Sequence, residues 1–154
     1  MRLHLRFEDA AARPGRNHKK EPAMVQTSTL EAGASPAVTS HDPLTIRIRE
    51  LNDAFRTGKG PYARQQGRAF ITSGVLALGN EASLAIVRKV AGFDAFTEDN
   101  DPHGEHDFGS FDHDGHTIFW KIDYYATDME RGSPDPSDPN QTCRVLTILL
   151  ASEY

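Results

Sequence analysis

Asp112-His113-Asp114-Gly115-His116-Thr117-Ile118-Phe119-Trp120-Lys121-Ile122-Asp123-Tyr124-Tyr125 is the stretch that decides the fold. Asp-Gly is a favoured hairpin-turn pair, because both residues tolerate the left-handed backbone that a tight turn between twisted strands requires. Residues 107–112 and 116–125 therefore read as two antiparallel arms around His113-Asp114-Gly115. In the second arm Ile118, Trp120, Ile122 and Tyr124 alternate with Thr117, Phe119, Lys121 and Asp123. That alternation predicts one buried face and one mostly polar face.

Downstream, Arg144-Val145-Leu146-Thr147-Ile148-Leu149-Leu150-Ala151 is almost continuously apolar, as a central strand is. Upstream, Leu44, Ile48, Leu51 and Phe55 repeat at helical spacing, with Arg47, Arg49, Glu50 and Asp53 on the other positions and Gly58, Gly60 and Pro61 as the stop. Residues 68–72 read as a short strand, and residues 74–79 as its connection to the next element. Asn80 is the expected N-cap of a helix over residues 81–91, with Leu84, Ile86, Val87, Val90 and Ala91 forming a broad apolar face and Gly92 as the stop. Phe93 and Phe96 are expected to return the chain to the core. The predicted architecture is α+β: two helices packed on a small, mainly antiparallel sheet of about four strands that contains the hairpin.

Residues 1–43 contain few large apolar side chains and many Pro, Gly, Ser, Thr and Ala, so they read as a flexible tail, and Met24 is an alternative start. Residues 44–154 are then a single domain. Cys143 is the only cysteine, which rules out an intrachain disulfide and fits a reducing cytosol; beside an apolar strand it reads as a small buried residue. No apolar run of membrane-spanning length and no secretory signal pattern occurs, so a cytoplasmic location is expected.

Charge is distributed unevenly. Residues 94–140 carry thirteen Asp/Glu against two Lys/Arg, whereas residues 1–93 carry a net +6 and the whole chain −5. This balance argues against a nucleic-acid binder that relies on a basic face. It favours a partner protein met by the acidic loop, and charge complementarity suits a basic one. The residues placed there are Glu98, Asp99, Asn100, Asp101, Glu105 and, on the hairpin, Tyr124.

Several words in order, Arg49-Glu50-Leu51-Asn52-Asp53, Phe96-Thr97-Glu98-Asp99-Asn100-Asp101-Pro102, Gly104-Glu105-His106-Asp107-Phe108-Gly109, Phe119-Trp120-Lys121-Ile122-Asp123-Tyr124-Tyr125, Gly132-Ser133-Pro134-Asp135-Pro136 and Arg144-Val145-Leu146-Thr147-Ile148, together resemble the bacterial domain-of-unknown-function family 3768. The resemblance spans about residues 46–154. It implies a small bacterial accessory protein of the kind often borne on plasmids, and it supplies no activity. The family pattern has an aromatic where this chain has His103, and its hairpin turn lacks His113 and His116.

Three chemistries compete with simple partner binding. Glu105, His106 and Asp107, with Lys121 and Asp123 from one face of the hairpin arm, form an enzyme-like set in which a carboxylate orients a histidine as general base of a metal-assisted hydrolase. His103, His106, His113 and His116 form two short-spaced pairs that suit zinc if the hairpin brings them together. The oxygen-rich 98–107 loop suits a divalent cation, although it is no EF-hand: the twelfth position from Asp99 is Ser110 rather than Glu. The bland alternatives are turns in which Asp99, Asn100 and Asp101 bond their own backbone, and surface ion pairs of Lys121 with Asp123. No cofactor is expected beyond the divalent cation that these patterns could hold. A last reading has the acidic surface imitate nucleic-acid phosphates and block an enzyme. Weighed together, the patterns favour a regulatory or accessory binding protein over an enzyme.

Overall fold

The computed structural model describes residues 42–154. Almost all of the expected tail, and Met24, lie outside the described residues. Helix α1 (Pro43–Thr57) starts with proline in its first turn, where a missing N–H costs nothing, and ends at Gly58, whose φ of 67° supplies the left-handed cap. Strand β1 (Gly67–Ile71) follows, then a short helix α2 (Ser73–Ala77) and helix α3 (Asn80–Ala91). Strands β2 (Phe108–His113), β3 (His116–Tyr125) and β4 (Cys143–Leu150) complete the sheet, and a single 3-10 turn (Ala151–Glu153) closes the chain.

The four strands run in the order β1-β4-β3-β2. β2, β3 and β4 pair antiparallel, and β1 lies parallel to β4 with Gly67 opposite Arg144 and Ile71 opposite Ile148. The fold is therefore α+β with a mostly antiparallel sheet. The hairpin turn is two residues long, since His113 pairs with His116, and Asp114 (φ 48°) and Gly115 (φ 80°) both take the left-handed backbone that such a turn demands.

The alternation in β3 is realised. Ile118, Trp120 and Ile122 are buried and join Val75, Ile86, Val90, Leu146 and Ile148 in the core, with Phe93 and Phe96 packed against it. Trp120 is at the centre, with Phe93 and Phe96 edge-on to its indole at 5.5 and 6.2 Å. Gly109 is opposite Trp120 across the ladder, and a Cβ there would fall 2.5 Å from the indole Nε1. Only glycine lets the ring lie that close to the neighbouring strand.

Four expectations about the helices change. Residues 74–79 are not a plain connection, because α2 occupies most of them and buries Val75. Gly79, not Asn80, takes the N-cap place of α3, with no side-chain cap bond. The broad apolar face of α3 is divided: Ser83, Ile86 and Val90 point inward, while Leu84 and Val87 face out. Only one side of the helix can meet the sheet, and a residue two positions from Ile86 is turned about 160° away from it. On α1 the buried stripe likewise begins one turn late, at Ile48, with Leu44 exposed.

Candidate functional site

Polar residues gather where α1 crosses the ends of β3 and β4 and the 97–107 loop folds over them. The loop is built around Asp101. Its carboxylate accepts the backbone N–H of Glu105 at 3.0 Å and of His106 at 3.1 Å, while its own N–H donates to the Thr97 carbonyl. Gly104 (φ 67°) and His106 (φ 55°) both take the left-handed backbone. That conformation costs a non-glycine residue on the order of 1 kcal/mol, which two bonds to an ionised acceptor offset. Asp101 is buried, and Asn100 turns its side chain onto the loop backbone at Thr97 and Ala95. Two of the loop's polar residues therefore serve the loop itself.

The His106 ring, placed by this turn, stacks flat on Phe96 with centroids 3.6 Å apart and 2° between the planes. Its Nδ1 is 2.9 Å from an Asp53 oxygen, so the bond to the carboxylate calls for the Nδ1–H tautomer. The other Asp53 oxygen accepts from Arg56 at 2.8 Å. Arg56 in turn donates to the Val90 and Ala91 carbonyls at the C-terminal end of α3, where carbonyls lack helical partners and a cation is favoured. The line His106–Asp53–Arg56 thus joins the loop to α1 and α1 to α3.

A second line runs through Asn52, which is fully buried. Its Nδ2 donates to the Glu105 carbonyl at 2.8 Å and to the Tyr124 hydroxyl at 2.7 Å, and its Oδ1 accepts from Arg144 Nε at 2.8 Å. The Tyr124 hydroxyl donates to the Glu105 carboxylate at 3.0 Å. Burial first, and then the charges of Glu105 and Asp107, push the Tyr124 phenol well above its ordinary range. Arg144 is also fully buried, donates from Nη2 to the Pro136 carbonyl at 2.7 Å, and lies over the Tyr124 ring. Burial lowers its pKa to about 10. Nη1 of Arg144 and Nε of Arg56 are buried without a hydrogen-bond partner.

The structure divides the residues singled out from sequence. Glu105 and His106 enter the network on the helix side of the sheet. Asp107 adjoins it through its charge on Tyr124, and its carbonyl accepts from the Ile122 N–H. Lys121 and Asp123 pair with each other at 3.0 Å on the opposite face of β3, so the five do not converge. Of the partner-binding set, Glu98 and Asp99 are exposed, whereas Asp101, Glu105 and Tyr124 turn inward. The two histidine pairs also stay apart. His113 and His116 close the turn end of a ladder that begins at Phe108, about 17 Å from its other end, where His106 lies. Among the described residues no group of three or more His, Cys, Asp or Glu is placed to hold a metal ion.

Sequence reasoning missed Asn52, Asp53, Arg56 and Arg144 as members of the site. One cue was present: Asn52 and Arg56 are four apart, each directly after a residue of the apolar stripe, Leu51 and Phe55. A shallow groove of about 410 Å³ lined by Glu50, Asp53, Thr57, Lys59 and Tyr62 borders the network at Asp53. No described helix is long and apolar enough to cross a membrane.

A mostly antiparallel α+β sheet with a buried polar network under one loop defines a class of fold rather than an activity. The chain belongs to the family described as "Protein of unknown function (DUF3768)", whose profile matches residues 71–153, just over half of its length. The match takes in the 97–107 loop, the hairpin, β4 and Arg144, and begins after α1. No curated protein and no solved structure matches the chain.

Proposed function

We propose that this chain is a non-catalytic binding protein that presents the outer side of its 97–107 loop to a basic protein surface. The observation that carries the reading is the double acceptance by Asp101 of the Glu105 and His106 N–H groups. It fixes the loop before any partner arrives, with Asp94, Glu98 and Asp99 exposed. A loop ordered in advance loses little entropy on binding, so modest charge attraction suffices for a specific contact. Lone, buried Cys143 supports placing this role in a reducing cytosol.

The test is to crosslink the full chain in bacterial extract, identify the captured protein, and measure its affinity for the purified chain. The expected partner is basic, its affinity falls about tenfold between roughly 50 and 300 mM salt, and Glu98→Gln with Asp99→Asn weakens it at least about threefold. A partner whose affinity ignores both salt and the double substitution overturns the proposal. The His106–Asp53 bond favours a second reading, a hydrolase whose histidine is oriented by a carboxylate. Hydrolysis of an activated phosphodiester in Mn²⁺ or Mg²⁺ that disappears in His106→Ala, with the fold intact, would establish that reading instead.

A further inference from the structure

We propose that two copies of this chain associate symmetrically through the outer face of α3, with the two helices antiparallel. The inner side of α3 is used up by the core, through Ser83, Ile86 and Val90. Its outer side nonetheless carries Leu84, 58% exposed, and Val87, 37% exposed. Leu76 of α2 is 54% exposed, and it follows Val75, whose carbonyl accepts from Ser83 Oγ at 3.2 Å. Leu84 and Val87, three residues apart, adjoin on the outward side of α3, and adjoining exposed apolar side chains mark a contact surface more often than scattered single ones do.

Charge selects a second copy as the occupant. Glu81 and Arg88 are exposed, and among the described residues neither side chain takes part in an ion pair or side-chain hydrogen bond. They are seven residues apart, so they lie on the same flank of the helix with Leu84 between them. In a two-fold antiparallel pair, the same flanks of the two helices meet. Glu81 of each copy then faces Arg88 of the other, the two Leu84 side chains meet near the axis, and the helix dipoles oppose favourably. In a parallel two-fold pair Glu81 lies level with Glu81 and Arg88 with Arg88 on opposite flanks, so no opposite charges meet. The stripe is thus complementary to itself in one orientation only.

α3 has 12 residues and is about 18 Å long, so the contact is smaller than that of an obligate dimer, and a reversible association is expected. Sedimentation of the full chain between about 1 and 300 µM tests this. The expected result is a concentration-dependent monomer–dimer equilibrium that is abolished by Leu84→Glu. Glu81→Arg alone and Arg88→Glu alone each weaken it about tenfold, and the two together restore it to within about threefold. Leu84→Ser serves in place of Leu84→Glu should the charged variant fail to fold, as judged by its melting transition. A monomer at every concentration overturns the proposal, as does a dimer that survives both Leu84 substitutions. A charge-swapped chain no better than the single variants overturns the antiparallel register.

Discussion

Asn52 is a fully buried residue on which three polar groups depend. Its single amide satisfies the Glu105 carbonyl, the Tyr124 hydroxyl and Arg144 Nε, and each of these belongs to a different part of the chain. Arg144 has little in reserve, because Nη1 already lacks a partner and burial has lowered the pKa of its guanidinium. Asn52→Leu keeps the volume close and removes every one of these bonds at once. Stripping partners from buried polar groups, one of them charged, is expected to cost about 2–4 kcal/mol in urea unfolding. A loss below about 0.5 kcal/mol would show that the network is not coupled through this side chain. His106 was legible in the sequence because it stands out among acidic neighbours. Asn52 and Arg56 were less so, because periodicity assigns polar helical residues to solvent, and their place beside the apolar stripe does not say which partner they meet.

Among the elements, the hairpin and β4 were readable almost residue by residue, since a two-residue Asp-Gly turn and a strict alternation admit few registers. α2 was hidden because five residues are too few for a periodic signal. It is held from a distance by Glu153. The Glu153 carboxylate accepts from Thr72 Oγ1 at 2.6 Å, from the Leu150 N–H at 2.9 Å and from the Gly74 N–H at 3.0 Å, tying the start of α2 to the closing 3-10 turn. The Thr72 bond, aided by the two backbone donors, holds its pKa below the ordinary 4.5. An acid whose folded pKa is lowered contributes stability that is fully present above its unfolded value and is lost as pH falls through the lower folded one. Because the carboxylate is exposed, solvent screening keeps this contribution small, so Glu153→Gln is expected to lower stability by at most about 0.5 kcal/mol at pH 7 and to flatten slightly the fall in melting temperature below about pH 4.5. An acid limb with unchanged slope would remove Glu153 as its source.

At the level of the whole molecule, the excess of negative charge between residues 94 and 140 divides into carboxylates that shape the chain and carboxylates that face water. Asp101 builds the loop, Glu105 ties it to Tyr124, Asp135 and Asp138 close turns in the proline-rich segment, and Asp94, Glu98 and Asp99 face out. Composition revealed the excess but not this division, which depends on which backbone N–H groups point inward once the loop has closed. The sheet adds a different constraint, through its one parallel pair. β2, β3 and β4 are consecutive in sequence, and β2 and β3 meet through a two-residue turn. β1 instead waits for Arg144 to arrive opposite Gly67, across nearly the whole intervening chain. Closing so long a loop is slow, and it is rewarded by only five residues of ladder at an edge. The barrier to folding is thus expected to be set by the docking of β1, which should also open first. In native-state hydrogen exchange, the amides bonding β1 to β4 should exchange at lower opening free energy than those between β3 and β4. Equal protection of the two ladders would mean that the sheet opens as a single unit.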